Sequence, residues 1–517
     1  MLKIRFFSFL FLIVSLFYGQ QNKLSIETEA SIYSNWNTYF SYNLISAIDN
    51  GGSVIYFASY NSIFTFDILS NQIEKFDTLN ELSGDEISAF YYSEINNIIV
   101  IGYISGFLQI IDLNSNSIIN IYDILNKPTI PHNKKTINDF FQSGDQLLIS
   151  TGYGVSIYNL NGYEFGDTYY IGDFATQINV TSTFIHENFI YASSPDLGIL
   201  RANINSNLID FNNWHTIYFG DIQELFYDGE NIFFYTDNSV MRINDEEITS
   251  ILTLENQIIN INSSDSKFII ITVEKCLIYN DQLSQLVYEI DSETYSSGFN
   301  QGIIKDNYIY IATNEKGVLI INNSGDFSYL KPDGPLENDI FSVETLNNKT
   351  WVSYGNYTEY FNPYPLKFSG LSNYDENLNS WFNISKDSIP EQAVNLNNIS
   401  INPFNNDNVF ISSFDGGMLE IENLNIVDFY DNNNSGLESL SINDPLYESV
   451  RISDIEFDQN GVLWILNSRI DSPLKSYNLD NNSWNSYDFT EIINDGFQDE
   501  LGFNDIEVDA YGNKWIA

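Results

Sequence analysis

The amino-acid sequence predicts an all-β protein that consists of two β-propellers with four-stranded blades. Three observations support this fold class. Apolar and polar residues alternate with a period of two over most of the chain, which is the periodicity of strands. A unit of roughly forty residues with four short strands recurs, as in propeller blades. The sequence after the first twenty residues shows no convincing helical periodicity of useful length.

The clearest copy of the repeating unit spans Ile452–Phe489. Its first strand ends at the turn Asp458-Gln459-Asn460-Gly461, and a second apolar strand follows. Asn-Gly between two apolar runs favours a hairpin because both residues tolerate positive φ. Two further strands, at 474–479 and 484–489, complete a blade, and the same pattern starts again at 506–516.

Two tryptophans of the later units predict a shared packing position. Trp464 and Trp515 follow Gly461 and Gly512 at the same offset. The same offset from the turn predicts the same strand register, and register determines which face a side chain occupies. We therefore expect both indoles to be buried between adjacent sheets, with an exposed carbohydrate platform as the alternative.

The pattern places eleven blade starts along the chain. They lie near Ile45, Ile87, Ile137, Ile178, Ile222, Ile259, Ile303, Ile340, Ile399, Ile452 and Phe503. Because one ring holds about four to eight blades, eleven starts predict two rings. The pattern breaks at Phe211–His215, so we predict a first propeller of about four blades at 21–214. The second then spans 215–517, with about seven blade starts and an incomplete last blade.

The first twenty residues have the features of a secretory signal peptide. Lys3 and Arg5 precede the apolar run Phe6–Tyr18, and cleavage is expected beside Gln20. The apolar run is short for a membrane span, and no later stretch approaches about 18 consecutive apolar residues. The segment 1–20 therefore predicts export to the periplasm or to the cell surface.

The chain is strongly acidic. Its formal net charge is −48, from 69 acidic and 21 basic residues. Such a field repels nucleic acids and anionic membrane surfaces, which excludes nucleic acid as a partner. Solubility of a β protein with a large surface is one explanation of the charge, and specific cation binding is the other.

Residues that carry chemistry are few and scattered. The single cysteine, Cys276, lies in the apolar run Phe268–Tyr279, which favours a buried structural thiol over a nucleophile. Three histidines match no metal-ligand spacing: His132, His186 and His215. Asp431–Asn434 and Asp480–Asn482 offer oxygen atoms to calcium, but both fall where turns are expected. We therefore predict no catalytic residue, no cofactor and no metal site, and the ligand-binding residues stay unidentified.

Consecutive segments in the first part of the chain resemble one protein family in their order and spacing. These segments are Trp36–Tyr42, Ile55–Asp67, Leu79–Asp112, Ile121–Phe141, Leu147–Leu160, Asp167–Gly172 and Ile190–Ala202. Over residues 36–214 they resemble the N-terminal propeller of the PorZ family, surface components of the type IX secretion system of the Bacteroidetes.

The resemblance implies a non-enzymatic scaffold at the outer-membrane surface that helps attach exported cargo to anionic lipopolysaccharide. The implied partners are a sortase-like protease and outer-membrane barrel proteins of the attachment complex. The family also implies a second propeller inserted within the first, and a C-terminal β-sandwich. We therefore expect the sequence to be truncated before that sandwich.

The later units resemble a different group of proteins. DIEFDQNGVLWI and DIEVDAYGNKWIA, at 454–465 and 505–517, are similar to the propeller repeats of periplasmic two-component regulators. A periplasmic sensor propeller is therefore the alternative function. A propeller enzyme, such as a lyase or a glycosidase, is a third reading, since one fold supports many functions.

Overall fold

The computed structural model describes residues 36–244, 247–440, 447–492 and 503–517. These residues form 42 strands, one short α-helix and five 3-10 helices, so the predicted all-β class is confirmed. The predicted signal peptide, residues 1–20, lies outside the described residues. None of the helices in the described ranges has the length and apolar character needed to cross a membrane.

The chain divides into two compact units, Met1–Pro332 and Asp333–Ala517. In the first unit, seven antiparallel sheets each contain four strands that are neighbours in sequence. The first four sheets are β1–β4 (Ile45–Gly51, Val54–Ser59, Ile63–Asp67, Gln72–Phe76), β5–β8 (Ile87–Ser93, Ile98–Tyr103, Leu108–Asp112, Ser117–Ile121), β9–β12 (Ile137–Ser143, Gln146–Thr151, Gly154–Asn159, Glu164–Tyr169) and β13–β16 (Ser182–His186, Phe189–Ser194, Gly198–Asn203, His215–Tyr218). The other three are β17–β20 (Glu224–Tyr227, Ile232–Tyr235, Ser239–Asn244, Glu247–Thr253), β21–β24 (Ile258–Ser264, Lys267–Thr272, Lys275–Asn280, Leu286–Asp291) and β25–β28 (Phe299–Lys305, Tyr308–Thr313, Val318–Asn322, Phe327–Leu330).

The second unit contains three further groups of four strands and a terminal hairpin. These are β29–β32 (Ser342–Leu346, Lys349–Ser353, Leu371–Asp375, Ser380–Ile384), β33–β36 (Leu396–Ile401, Asn408–Asp415, Gly417–Glu422, Asn425–Tyr430), β37–β40 (Val450–Phe457, Val462–Asn467, Leu474–Asn478, Ser483–Tyr487) and β41–β42 (Ile506–Val508, Lys514–Ile516). Strand β34 also pairs with β37. The 3-10 helices are Thr78–Asn80, His132–Lys134, Asp173–Ala175, Phe211–Asn213 and Lys386–Ser388, and the α-helix is Ser292–Tyr295.

The blade periodicity read from the sequence is confirmed. Each of the eleven predicted starts lies in the first strand of a sheet or at most four residues before it. Turn chemistry fixes the hairpins between the first two strands of several blades. Asp306 and Asn307 have φ of 50° and 66°, and Asn347 and Asn348 have φ of 50° and 65°. Two successive residues with positive φ form the tight turn that matches the twist of paired strands.

The seven sheets of the first unit form a closed ring. First strands of adjacent sheets contact one another at six of the seven junctions, including that of β25 of the seventh sheet with β1 of the first. At the remaining junction, between the fifth and sixth sheets, Phe233 and Phe268 pack in one hydrophobic cluster. A hydrophobic cluster seals this junction, since Ile48 and Phe57 of the first blade pack with Ile303 and Tyr310 of the seventh. Seven successive blades therefore complete the first propeller without an inserted domain, which differs from the insertion that the family resemblance implies.

The division of the chain also lies elsewhere than the predicted boundary between residues 214 and 215. That position falls inside the fourth blade, between β15 and β16. The break in the sequence pattern is a long loop that belongs to this blade. Trp214 is 6% exposed, its indole N–H donates to the Leu208 carbonyl at 3.0 Å, and its ring lies 6.3 Å from that of Tyr169. The loop packs on the blades, and the ring continues to Leu330.

Ring closure uses a pair of adjacent polar side chains, which we call a two-point clamp. The Asn300 side chain donates to the Ile45 carbonyl at 2.8 Å. The next residue, Gln301, accepts from the Ile48 N–H, also at 2.8 Å. A bulge in β25 between Phe299 and Gln301 brings the two consecutive side chains to the neighbouring blade. The clamp thus binds the first strand of the next blade at two points three residues apart.

The same clamp recurs in both units. Between the third and fourth blades, Asn138 donates to the Val180 carbonyl at 2.6 Å, and Asp139 accepts from the Thr183 N–H. In the second unit, Ser453 donates to the Phe503 carbonyl at 2.6 Å, and Asp454 accepts from the Ile506 N–H at 2.8 Å. Each instance sits at a bulge near the start of a first strand. The clamp is therefore present at three blade junctions, two in the first unit and one in the second.

The two tryptophans share a register but differ from the prediction in burial. Their indole N–H groups donate to turn carboxylates, Trp464 to Asp458 at 3.0 Å and Trp515 to Asp509 at 3.1 Å. Lys514 lies over the Trp464 ring at 3.8 Å, and that indole is half-buried. Trp515 is 65% exposed. The equal register is confirmed, whereas burial of both rings is not. Lys514 and Tyr487 cover part of the Trp464 ring, whereas the Trp515 ring stays largely exposed.

Replacing Gln301 with leucine should weaken the closure of the first ring. The Ile48 N–H would lose its acceptor at a packed junction, and an unsatisfied buried donor costs about 1–3 kcal/mol. We expect the free energy of unfolding measured in urea to fall by about that amount. Gln282→Leu, at an exposed turn, is the control and should be close to neutral. Equal effects of the two substitutions would contradict the role of the clamp.

Candidate functional site

Partly buried carboxylates on the inner strands are the candidate functional site of the first unit. Asp49 lies on β1, Asp139 on β9 and Glu224 on β17. All three are first strands of their blades, and first strands line the axis of a propeller. The three side chains are partly buried, so the ring brings several acidic groups into its interior.

Burial and repulsion between carboxylates raise the pKa values of these groups, which favours their neutral, protonated forms. Burial, followed by the nearby charge of Glu224, raises the pKa of Asp139 to about 8, against the donated N–H groups of Phe140 and Thr183. Burial also raises the pKa of Glu224, although the Tyr235 hydroxyl donates to this carboxyl at 3.0 Å. Repulsion by the Glu224 charge therefore adds to the effect of burial on the pKa of Asp139.

Asp49 occupies a similar position between the first and second blades. It accepts from the Tyr92 N–H of the second blade at 2.7 Å and from its neighbour Asn50 at 2.7 Å. Burial raises the pKa of Asp49 to about 6 despite these two bonds. Asp49 and Asp139 therefore both accept from the backbone of the following blade.

The second unit concentrates more acidic groups on its inner strands. Asp454 accepts from the Ile455 N–H at 2.9 Å in addition to its clamp bond. Burial, followed by the neighbouring Asp505, raises the pKa of Asp454 to about 8. Burial, followed by the charges of Glu344, Glu507 and Asp505, raises the pKa of Glu456 to about 7. Several of these groups therefore hold protons near neutral pH.

The chemistry open to these groups follows from their hydrogen bonds. A carboxyl that stays protonated near neutral pH is suited to general acid catalysis. However, Asp139 and Asp454 each use their oxygens to bind backbone N–H groups of two blades. Over the described residues, no set of three or more His, Cys, Asp or Glu side chains is arranged to hold a metal ion. The arrangement supports a structural use of the carboxyls that depends on pH.

The residues that the sequence singles out lie on separate elements. Cys276 is fully buried in a core cluster of the sixth and seventh blades, and burial raises the pKa of its thiol to about 12. This confirms the predicted buried thiol. His132 is exposed on a 3-10 helix, and His215 is exposed at the start of β16. His186 packs against the Tyr227 ring at 4.9 Å.

Both Asp-Asn clusters form the predicted turns. One Asp431 oxygen accepts from the N–H groups of Asn433 and Asn434 at 2.7 and 3.2 Å. The backbone of 479–482 also turns, between β39 and β40. The Asp431 carboxylate, which the sequence offers as a calcium ligand, therefore already accepts hydrogen bonds from the backbone of its own loop.

Sequence analysis did not identify the inner carboxylates. A signal for two of them is visible in retrospect: adjacent polar residues at the start of a first strand, namely Asn138-Asp139 and Ser453-Asp454. A polar pair there breaks the alternation of a strand, which is the mark of a bulge. Burial and the approach of the next blade, however, are properties of the folded ring.

The comparisons with known proteins agree with the resemblance read from the sequence. Residues 55–215 match the family model of the type IX secretion PorZ N-terminal β-propeller domain. This range runs from β2 to the first residue of β16, so it covers the second and third blades of the first ring completely and three strands each of the first and fourth. The predicted resemblance is therefore confirmed for this part of the chain. None of the curated proteins matches the sequence.

Solved structures extend the similarity in fold. The chain is similar to PorZ of Porphyromonas gingivalis, described as an essential bacterial surface component of its type IX secretion system, with a TM-score of 0.78 and 17% identity. The match covers 93% of this chain and 63% of that one, so the chain spans less than two thirds of that protein's length. The extracellular domain of a putative hybrid two-component system from B. thetaiotaomicron has a TM-score of 0.44 at 16% identity, covering 92% and 74% of the two chains. That of a putative one-component system from the same organism has a TM-score of 0.42 at 11% identity, covering 93% and 70%.

Asp139→Asn should change how the stability of the first ring depends on pH. The unfolded chain releases this proton near the ordinary carboxyl pKa of 3.8, whereas the folded ring keeps it up to a pKa of about 8. The unfolded state therefore binds fewer protons between these values, and the wild-type ring loses stability as pH rises. Asparagine removes that loss. We expect the variant to be more stable than wild type at pH 8, by up to about 5 kcal/mol if the whole pKa shift is removed, and to have nearly the same stability as wild type at pH 4.

Urea unfolding at the two pH values measures this difference. Asp112→Asn is the control, because the pKa of Asp112 is shifted in the opposite direction. N–H and hydroxyl donors of its own turn, led by the Asn114 N–H, lower the pKa of this carboxyl. Its folded-state pKa lies below the ordinary value, so Asp112 stabilises the fold above that value and its replacement should destabilise at pH 8. A loss of stability in Asp139→Asn that is equal at pH 4 and pH 8 would contradict the assignment.

Proposed function

We propose that this protein is a non-enzymatic component of type IX protein secretion, exported and acting at the outer-membrane surface. The observation that carries the proposal is the family match over residues 55–215. It spans two complete blades and most of the blade on either side, within a seven-bladed ring, so the similarity concerns a structural unit and not an isolated motif.

The mechanism would be that of a scaffold. A closed ring tied by clamps holds the loops between its strands in fixed positions, and loops on a rigid scaffold commonly carry binding functions. The partners that we propose are a sortase-like protease and outer-membrane barrel proteins of the attachment complex. In this role the protein would position exported cargo for attachment without making or breaking bonds itself.

Several features favour a non-enzymatic role. Asp139 and Asp454 are used to join blades, and Cys276 lies in a core cluster with a pKa raised to about 12. Each of these side chains has a structural use that accounts for its position. The propeller enzyme is therefore the less supported reading.

We also propose that exported cargo is attached to anionic lipopolysaccharide. The net charge of the chain affects how the protein could contact this glycolipid. A chain of net charge −48 repels an anionic glycolipid at long range. Contact would then depend on a locally basic or hydroxyl-rich surface, on bridging divalent cations, or on an uncharged part of the glycan.

Deleting the gene in the source bacterium tests the proposed role. We expect the cell-surface fraction of type IX cargo to fall at least tenfold, while cargo accumulates without attachment. Immunoblots of surface, periplasmic and medium fractions measure this. The complete gene supplied in trans should restore attachment, and the same gene without codons for residues 2–20 should not, since the predicted export signal would be lost.

The alternative function, a periplasmic sensor propeller, predicts a different result for the same deletion. A periplasmic sensor would change the abundance of specific transcripts while cargo attachment stays intact. Measuring transcripts and surface cargo in the same deletion strain separates the two functions. Unchanged cargo attachment would overturn the secretion role whatever happens to transcription.

A further inference from the structure

The outer strand of the seventh blade, β28, is the edge of its sheet. It spans Phe327–Leu330 and is the last strand in the order β25-β26-β27-β28. Over the described residues, no other strand pairs with its outer side. An edge strand presents a row of unpaired backbone groups, to which another extended chain can bind.

The register of β28 shows which of its backbone groups point outward. The Asn322 N–H donates to the Asp326 carbonyl at 3.0 Å, so these two residues form a hydrogen-bonded pair at the start of the hairpin. Hydrogen-bonded and non-hydrogen-bonded pairs alternate along an antiparallel ladder. Phe327 and Tyr329, one and three positions further, therefore occupy non-hydrogen-bonded positions opposite β27. Their two N–H groups and two carbonyls thus face away from the sheet.

Most other outer strands of the first ring carry a feature that discourages such pairing. Charged residues and β-bulges at an edge hinder the addition of a strand. Strands β4, β12, β20 and β24 contain charged residues, and the register of β12, β16, β20 and β24 shifts as at a bulge. Strands β8 and β28 have neither feature, but the apolar side chains of β8 are half-buried or buried. Within the ring, β28 therefore combines an unprotected edge with exposed apolar side chains.

Aromatic rings lie beside the outward backbone groups of β28. Phe327 is 56% exposed and Tyr329 is 37% exposed, and their ring centroids are 6.0 Å apart. A third ring, that of Tyr295, contacts Phe327 edge-on with 5.1 Å between centroids. We call these three residues the aromatic ridge. Aromatic and β-branched side chains on neighbouring strands stabilise their pairing, so the ridge offers a surface to the side chains of an added strand.

Hydrogen bonds hold the aromatic ridge in place. The Tyr329 hydroxyl donates to the Tyr295 carbonyl at 3.1 Å. The Lys316 ammonium group donates to the same carbonyl at 2.8 Å and lies 5.6 Å from the centre of the Tyr329 ring. The rings are therefore positioned before a partner arrives, and such preorganisation lowers the entropy cost of binding.

Acidic residues flank the aromatic ridge. Asp326 directly precedes β28, Asp291 and Glu293 lie at the short α-helix beside it, and all three are exposed. The two lysines of this region, Lys316 and Lys331, already donate to oxygen atoms within the first unit. Together with the net charge of −48, this arrangement attracts a partner with basic residues.

The size of the edge favours a peptide over a second copy of the chain. Strand β28 has four residues and is therefore about 13 Å long. Stable protein–protein interfaces bury about 1,200–2,000 Å² in total, which is far more than pairing along so short a strand provides. Two copies would also repel each other, because each carries a net charge of −48. A short extended peptide needs only the edge and the aromatic ridge.

We propose that β28 binds an extended peptide segment of a partner protein as a fifth strand of the seventh blade. The peptide backbone would pair with the outward N–H and C=O groups of Phe327 and Tyr329. Alternate apolar side chains of the peptide would pack on the aromatic ridge, and basic residues at its ends would face the flanking carboxylates. The inference rests on the geometry of this edge and does not require the secretion role.

A synthetic peptide tests the site on the purified chain. The probe is a fluorescein-labelled nonapeptide in which threonine and valine alternate between terminal lysines. We expect saturable binding of one peptide per chain, measured by fluorescence anisotropy. The same peptide with terminal glutamates should bind about tenfold more weakly at low salt, and added salt should reduce this difference.

Backbone methylation distinguishes strand pairing from simple contact with the rings. Two further probes carry N-methyl groups, one on its valines and the other on its threonines. Successive N–H groups of a strand point to opposite edges, so only one of the two sets can pair with β28. We expect one methylated probe to bind about tenfold more weakly than the parent peptide, because it loses two hydrogen bonds. The other should keep the affinity of the parent.

Substitutions in the protein test the aromatic ridge. Phe327→Ala should weaken binding of the lysine-ended peptide about fivefold, because it removes apolar contact surface. Ile73→Ala is the matched control: Ile73 is 39% exposed and lies on β4, an outer strand that contains charged residues. This control should leave binding unchanged. Urea unfolding verifies that both variants are folded.

Several results would overturn the proposal. They are no saturable binding of the lysine-ended peptide, equal affinity of the two methylated probes, and unchanged affinity in folded Phe327→Ala. Analytical ultracentrifugation tests the other occupant of the edge. A dimer of the wild-type chain that Phe327→Ala dissociates would assign the edge to a second copy and would equally overturn the peptide site.

Discussion

The two-point clamp between first strands is the interaction on which the propeller architecture depends. A four-stranded blade leaves the backbone of its innermost strand without a sheet partner, and such edges are costly to bury unless their polar groups are satisfied. The clamp meets this need with two side chains that bond one carbonyl and one N–H of the next blade. Among the described residues of the first unit, each sheet consists of four strands that are neighbours in sequence, and no strand is exchanged between the ends of the ring. Closure there depends on Asn300 and Gln301 together with the apolar cluster around Ile48.

This mode of closure explains which parts of the fold the sequence could predict. Blade starts depend on local alternation and turn residues, so all eleven could be placed from the sequence. The number of blades in a ring is a long-range property, because it depends on which two non-adjacent blades meet. The contact between the first and seventh blades joins residues more than 250 positions apart. The loop before Trp214 interrupts the pattern locally but packs within the fourth blade, and the predicted boundary followed the local signal.

The inner carboxylates, like the number of blades in the ring, could not be predicted from the sequence. Asp139 and Asp454 differ from the many other acidic residues only through burial and through the blade that follows them, and neither is visible in a linear sequence. The tryptophan repeat is the converse case. Its register follows from turn offset and was predictable, whereas burial depends on what covers each ring.

Three basic side chains of this acidic chain are buried and form hydrogen bonds or ion pairs within the fold. Arg451 is 6% exposed and donates to the Phe361 carbonyl, Lys135 is 3% exposed and donates to the Leu125 carbonyl, and the Lys475 side chain is buried against Glu438. These cations serve the fold, in a chain with only 21 basic residues. These three cations therefore do not offset the net charge of −48 that an anionic glycolipid would meet. Contact between this chain and such a glycolipid would then depend on bridging divalent cations or on an uncharged part of the glycan.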